Sequence, residues 1–171
     1  MVLDLDETLI HYDEDDEQGK VHFRPHLDEF LGQLRNYFEI IIFTASLQEY
    51  ADSILDHMDP EKTTFIKRYY RQHTIEGMSN NIKDLSILRL DLSKVIIIDN
   101  TPENFVKHKS NGIFIKSWFN DAEDTCLKDL IPFLKNVVIN QVADVREYLE
   151  GYRSEMIEKI KKGSIHPGIE I

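Results

Sequence analysis

One cysteine, Cys126, in a chain of 171 residues leaves no partner for an internal disulfide and no thiolate set for a zinc site. Its isolation suits a reducing compartment. No apolar run approaches the roughly 18 residues of a membrane-spanning helix, and no signal-peptide pattern opens the chain. The sequence begins almost directly on what reads as a first strand, so a trimmed tail or anchor upstream is compatible with it. Basic residues are scarce: 20 Lys and Arg stand against 31 Asp and Glu, for a net charge of −11. That argues against non-specific adhesion to nucleic acid or anionic membrane, and leaves room for a basic peptide partner or a metal-dependent enzyme. There is no internal repeat and no long low-complexity tract. At 42% hydrophobic and 30% charged, the chain reads as one domain over 1–162 that can bury a core without covalent staples. A Gly- and Pro-containing tail at 163–171 is expected to be flexible.

What is present is a set of short β-branched runs: Val2-Leu3, Ile40-Ile41-Ile42-Phe43, Val95-Ile96-Ile97-Ile98 and, more weakly, Ile113-Phe114-Ile115. Each is too continuous for a strand with one wet face, so parallel strands buried on both faces are expected. Amphipathic patterns lie between them. One spans 25–38, opened by Pro25. A second spans 46–58, with Ser46 as N-cap and Glu49 at capping-box spacing. Further helices are expected over 102–108, over 122–135 with a bend at Pro132, and from about Gln141 to Lys162. Alternating strands and helices predict an α/β fold: a Rossmann-like three-layer sandwich around a central parallel sheet. Residues 11–23 break the alternation as an acidic hairpin or flap, and residues 59–82 as a small β insertion. Neither is large enough for a cap domain.

The strand runs share one feature. They end in Asp4-Leu5-Asp6-Glu7-Thr8, in Thr44-Ala45-Ser46 and in Asp99-Asn100-Thr101. Ligands of open parallel sheets bind at the carboxyl ends of strands, so these ends would gather Asp4, Asp6, Thr44, Asp99 and Asn100 in one crevice. Such hard oxygen donors suit Mg²⁺ rather than zinc or copper. Competing readings fare worse. From Asp13, an EF-hand loop needs Gly at its sixth position and an acid at its twelfth, where this chain has Gln18 and Arg24, so 13–19 reads as a solvated acidic loop. His22 and His26 flank Pro25 and cannot share a helix face as zinc ligands.

The motifs DLDETLIH, FTAS and IIIDN resemble the haloacid dehalogenase superfamily of phosphotransferases. RPHLDEFL, IIFTASLQEYAD, YYRQH, IKDLS, IIIDNTPENF, NGIFIKSWF and ADVREYL are similar, in order and spacing, to its branch of small carboxyl-terminal-domain phosphatases and Dullard-type protein phosphatases (NLI-interacting-factor-like), from about Val2 to Leu149. The resemblance implies a Mg²⁺-dependent protein serine/threonine phosphatase working through an aspartyl-phosphate, with a phosphorylated protein or peptide as substrate. By that resemblance Asp4 is the nucleophile, Asp6 the general acid and then base, Thr44 a donor to the phosphoryl group, and Lys83 a counter-charge. The metal is held by Asp4, the Asp6 carbonyl and Asn100, with Asp99 beside it. Leu47 and Tyr50 are nominated for apolar substrate contacts and Arg71 for a phosphate or acidic one. A nuclear or cytoplasmic location follows from the same resemblance, with any regulatory partner unidentified.

Two departures stand out: the acidic flap is shorter than in those relatives, implying a reduced hydrophobic groove, and His73 stands where they usually carry cysteine. The rival readings are a transport receptor or scaffold with an impaired site, and a phosphatase of small metabolites. An acid at Asp6 that starts protonated predicts that hydrolysis of a phosphoserine peptide is fastest at mildly acidic pH. A rate profile that is flat or rising to pH 8 would contradict that role.

Overall fold

The computed structural model describes residues 1–14, 19–77, 80–161 and 169–170. The four apolar runs each become a strand of one sheet: β1 (Val2–Leu3), β4 (Ile40–Phe43), β8 (Ile97–Asp99) and β9 (Gly112–Ile115). Two hairpins stand outside it, β2 (Ile10–Asp13) with β3 (Lys20–Phe23), and β6 (Ile75–Glu76) with β7 (Asn81–Ile82). The sheet is completed by β5 (Phe65–Tyr69) at one edge and β10 (Ile169–Glu170) at the other, in the order β10-β9-β8-β1-β4-β5. All pairs are parallel except β10 on β9.

The alternation of side chains along a strand sorts each run onto two buried faces. Leu3, Ile40, Ile42, Ile96, Ile98, Ile113 and Ile115 pack into one core with the apolar faces of α1 (Leu27–Leu34), α2 (Gln48–Met58), α3 (Cys126–Ile139) and α4 (Val145–Lys161). Val2, Ile41, Phe43, Tyr69, Val95 and Ile97 form a second core with Leu85, Leu88 and Phe105. These last three come from 3₁₀ turns at Leu85–Leu88 and Pro102–Asn111. The second covering layer is therefore made of short turns. The segment expected as a helix at 102–108 is part of it, broken at Phe105 and His108.

The expected elements shift at their ends. Helix α1 starts at Leu27, after His26 in a left-handed conformation, and α2 starts at Gln48 with Leu47 as a cap that donates no side chain. The β insertion is narrower than 59–82, because Phe65–Tyr69 joins the main sheet. The acidic flap is a hairpin, with Ile10–Asp13 paired to Lys20–Phe23, and residues 15–18 at its tip lie outside the described residues. Of the tail expected at 163–171, only Ile169–Glu170 is described, and the helix expected to reach Lys162 is described as far as Lys161. Among the described residues no helix is long and apolar enough to cross a membrane.

A buried arginine ties the flap to the body. Arg24 is 1% exposed. It donates through Nε and Nη2 to the Asp124 carboxylate, both at 2.8 Å, and to the carbonyls of Thr8 at 3.1 Å and Lys116 at 3.0 Å. Burial pushes the Asp124 carboxyl up, but the guanidinium outweighs it and holds the group below the usual carboxylate range. The pair's contribution is thus full above the unfolded-state carboxyl value of about 3.9 and fades as the pH falls through the lower native one. Arg24→Met is expected to cost about 3–5 kcal/mol of unfolding free energy at neutral pH. In urea titrations the gap to the unmodified protein should narrow below about pH 4.

Candidate active site

The carboxyl end of β1 is a tight reversal. The Asp4 N–H still pairs with the Ile98 carbonyl at 3.0 Å, and then the N–H groups of Thr8, Leu9 and Ile10 all converge on the Leu5 carbonyl. Glu7 takes a left-handed conformation (φ 54°) to permit the turn. This places Asp4 and Asp6 beside Thr44 at the end of β4 and Asp99 at the end of β8. Asp4, Asp6, Thr44, Lys83, Asp99, Asn100 and Tyr50 come together here. Leu47 and Arg71 sit at the rim: Leu47 is 59% exposed, and Arg71 is fixed by Nε donating to the Ala45 carbonyl at 2.6 Å.

The two carboxylates of β1's end have separate partners. Asp4 is buried, and its Oδ1 accepts from the Lys83 ammonium while Oδ2 accepts from the Thr8 hydroxyl at 2.8 Å. Lys83 has no exposed surface and donates also to Asp99 Oδ2 at 2.6 Å. Asp99 is held from behind by the Thr101 N–H at 2.8 Å and the Asn104 amide at 3.3 Å. The segment carrying Lys83 is itself pinned. Its N–H donates to the Asn104 carbonyl at 2.6 Å, and the next residue, Asp84, accepts from Lys107 and pairs with His108. Those two contacts hold the Asp84 carboxyl well below the usual carboxylate range.

Asp6 faces hydroxyls. Its Oδ2 accepts from Ser46 at 2.8 Å and Thr44 at 3.2 Å, and its Oδ1 from Tyr50 at 2.9 Å. Ser46 therefore spends its side chain on Asp6 and does not cap α2, and Tyr50, expected as an apolar contact, presents its hydroxyl to the same carboxylate. Thr44 also accepts the Ser46 N–H at 2.9 Å. A hydroxyl can donate to a carboxylate or accept from a carboxylic acid, so this cage serves Asp6 in either protonation state. Thr8 and Asn104 stand out by no role of their own in the sequence, and Ser46 only as a helix cap. Their signal was there, since Thr8 and Ser46 fall within DLDET and FTAS.

The buried charges do not balance. Asp4 and Asp99 are two carboxylates facing one ammonium. Burial and the Asp99 charge push the Asp4 carboxyl up against the pull of Lys83, and the Lys83 ammonium, which burial would lower, is pushed up by both carboxylates. One further cation would neutralise the site. The Thr8 hydroxyl bridges Asp4 Oδ2 and Asn100 Oδ1, at 2.8 and 3.3 Å, so both oxygens border one small region. The Asn100 amide nitrogen is turned away to Ser117 Oγ at 2.9 Å. One carboxylate and one amide oxygen are donors of the kind Mg²⁺ takes. Among the described residues no three His, Cys, Asp or Glu side chains are grouped to hold a metal. Asp99, expected beside the metal, has both oxygens engaged by Lys83, Thr101 and Asn104.

Among the described residues the insertions near the site are the β2–β3 and β6–β7 hairpins, and a cavity of about 610 Å³ is lined by residues at the opposite ends of the strands, including Met1, Val2, Ile41 and Val95. A parallel sheet with this aspartate pair at its central strand has the fold of the haloacid dehalogenase superfamily. The chain belongs to the family of NLI interacting factor-like phosphatases, whose family model matches residues 1–146. It is 41% identical over 167 residues to nuclear envelope morphology protein 1 of Schizosaccharomyces pombe, covering 87% of this chain and 35% of that protein. It is 38% identical over 173 residues to CTD nuclear envelope phosphatase 1 of Xenopus laevis, covering 87% and 70% respectively. The chain thus spans between a third and 70% of these relatives. A solved structure of the fission yeast RNA polymerase II CTD phosphatase Fcp1, bound to beryllium fluoride, superposes with a TM-score of 0.57 at 16% identity, over 88% of this chain and 54% of that one. At that identity the likeness concerns the fold. Phosphatases of this family are metal-dependent.

Removing the buried ammonium should unbalance the whole cluster. Lys83→Met is expected to cost about 3–5 kcal/mol of stability in denaturant titrations. Pairing it with Asp99→Asn should recover part of the loss, since the two changes share one contact.

Proposed function

We propose that this chain is a Mg²⁺-dependent protein serine/threonine phosphatase domain that transfers the phosphoryl group to Asp4 and then to water. The observation that carries the reading is the division of partners between the two carboxylates. Asp4, whose carboxyl is pushed up by burial and Asp99, faces the Lys83 ammonium, the neighbouring charge that favours the anion able to attack phosphorus. Asp6, among hydroxyls that tolerate both protonation states, can give a proton to the leaving oxygen and then take one from the attacking water. Lys83 offsets charge on Asp4 and on the incoming phosphoryl oxygens, and the rotatable Thr44 hydroxyl can turn from Asp6 to donate to them.

Asp4 Oδ2, Asn100 Oδ1 and the Asp6 carbonyl are the groups we assign to Mg²⁺. When bound, the ion would screen the repulsion between the Asp4 carboxylate and a phosphate dianion. Two short hairpins in place of a cap domain favour phosphoserine or phosphothreonine on a protein over a small metabolite. Relatives are named for the polymerase carboxyl-terminal domain and for the nuclear envelope, which supports a nuclear or cytoplasmic phosphoprotein substrate. Leu47 and Arg71 at the rim are the side chains we assign to peptide contacts.

Hydrolysis of p-nitrophenyl phosphate should require Mg²⁺ and stop in EDTA. Asp4→Asn should lower turnover by roughly three orders of magnitude or more, and Asp6→Asn should lower hydrolysis of a phosphoserine peptide by about 10²–10⁴-fold. No turnover by the unmodified chain under any metal condition would favour a scaffold role.

A further inference from the structure

Tyr50 lies in the first turn of α2, on the side of the helix that faces the catalytic loop. Its hydroxyl stands 2.9 Å from Asp6 Oδ1. The two donors to Oδ2, Thr44 and Ser46, belong to the same short loop after β4. Among the described residues Tyr50 is the one side chain that hydrogen-bonds Oδ1. Without it the carboxylate is held at a single oxygen, and rotation about its terminal torsion, which is intrinsically soft, meets no opposing contact. Burial and the neighbouring Asp6 charge push the phenol far above its ordinary range.

The ring of Tyr50 has a second contact. The Tyr12 ring of β2 meets it edge-on, with centroids 6.0 Å apart and planes at 87°. Edge-to-face pairs of this kind prefer a fixed mutual geometry. Tyr12 is 38% exposed and sits on the flap, so a chain of two rings and one hydroxyl runs from the solvent-facing hairpin to the catalytic loop.

We propose that Tyr50 is a positioning residue: its hydroxyl orients the Asp6 carboxylate toward the leaving-group oxygen, and the flap sets that hydroxyl through Tyr12. The inference rests on the reading of Asp6 as the general acid. It assigns Tyr50 a part in the chemistry in addition to any contact its ring makes with substrate. The consequence is a dependence on leaving group. A residue that only lines the cleft changes binding of similar esters alike, whereas one that aims the acid matters most when the departing oxygen is basic.

The test compares kcat/KM for phenyl phosphate and p-nitrophenyl phosphate, esters of similar shape whose leaving groups differ in basicity. It uses the full chain, Tyr50→Phe, Asp6→Asn, the double variant and Tyr12→Ala. Tyr50→Phe keeps the ring and its packing, so its thermal midpoint should stay close to that of the unmodified protein. It is expected to lower kcat/KM for phenyl phosphate roughly ten-fold, as for one lost hydrogen bond to a charged group. The loss on p-nitrophenyl phosphate should be about two-fold or less. In the Asp6→Asn background the same change should have no further effect. Tyr12→Ala should show the same preference more weakly. Equal losses on the two esters, or a Tyr50→Phe loss that persists in Asp6→Asn, would overturn the positioning role. An unchanged ester ratio in Tyr12→Ala would overturn the flap's part. If Asp6→Asn itself hits both esters equally, the acid assignment fails, and that outcome is read from a different variant.

Discussion

A single ammonium organises this protein's site. Lys83 reaches a fully buried position between Asp4 and Asp99, the ends of two strands that would otherwise carry like charges into a dry crevice. Two ions taken from water at such a place need each other, and removal of either partner is costly. The surrounding contacts make the arrangement tolerable. Asn104 and the Thr101 N–H hold Asp99 from behind, and Asp84 locks the Lys83 segment to the turns at 102–111. The layer of 3₁₀ turns on that face is therefore more than packing material, because it carries the scaffolding of the charge.

The contrast between Asp4 and Asp6 follows from the same sheet. Both descend from one strand, yet Asp4 points to the ammonium and Asp6 to three hydroxyls. In the proposed mechanism, environment rather than residue type separates the nucleophile from the proton carrier. The separation needs elements from both sides: the β7-to-turn segment supplies Lys83, and the β4–α2 loop with the first turn of α2 supplies the hydroxyls. It also leaves the site short of one positive charge, which is the electrostatic case for a metal.

Much of this was legible in the sequence. The β-branched runs are buried on both faces, and their polar ends do converge, because continuous apolar runs leave a chain few alternatives to a central sheet. What local pattern could not reveal were choices settled by distant partners. Ser46 stands at ideal capping spacing before α2, but a hydroxyl serves a helix end or a carboxylate equally well, and Asp6, forty residues earlier, takes it. Arg24 reads as an ordinary basic residue before a proline, since its carboxylate partner lies a hundred residues away. β5 reads as part of the small β insertion, because an edge strand with Ile66 exposed and Lys67 beside it lacks the continuous apolar run of the other strands. Lys83 would pass for a surface lysine by composition. Its motif neighbours identified it, and its burial explains them.

β1 is two residues long and sits between β4 and β8, with Val2 opposite Ile41 and Ile97 and Leu3 opposite Ile42 and Ile98. Val2 belongs to the core beneath one face and Leu3 to the core beneath the other. A slip of one residue would exchange those faces and carry Asp4 away from its ammonium. The placement of the reacting oxygen is thus inherited from the sorting of two aliphatic side chains. A substitution at Val2 or Leu3 that blurred which core each prefers would act as a mutation of the chemistry, without touching any group that takes part in it.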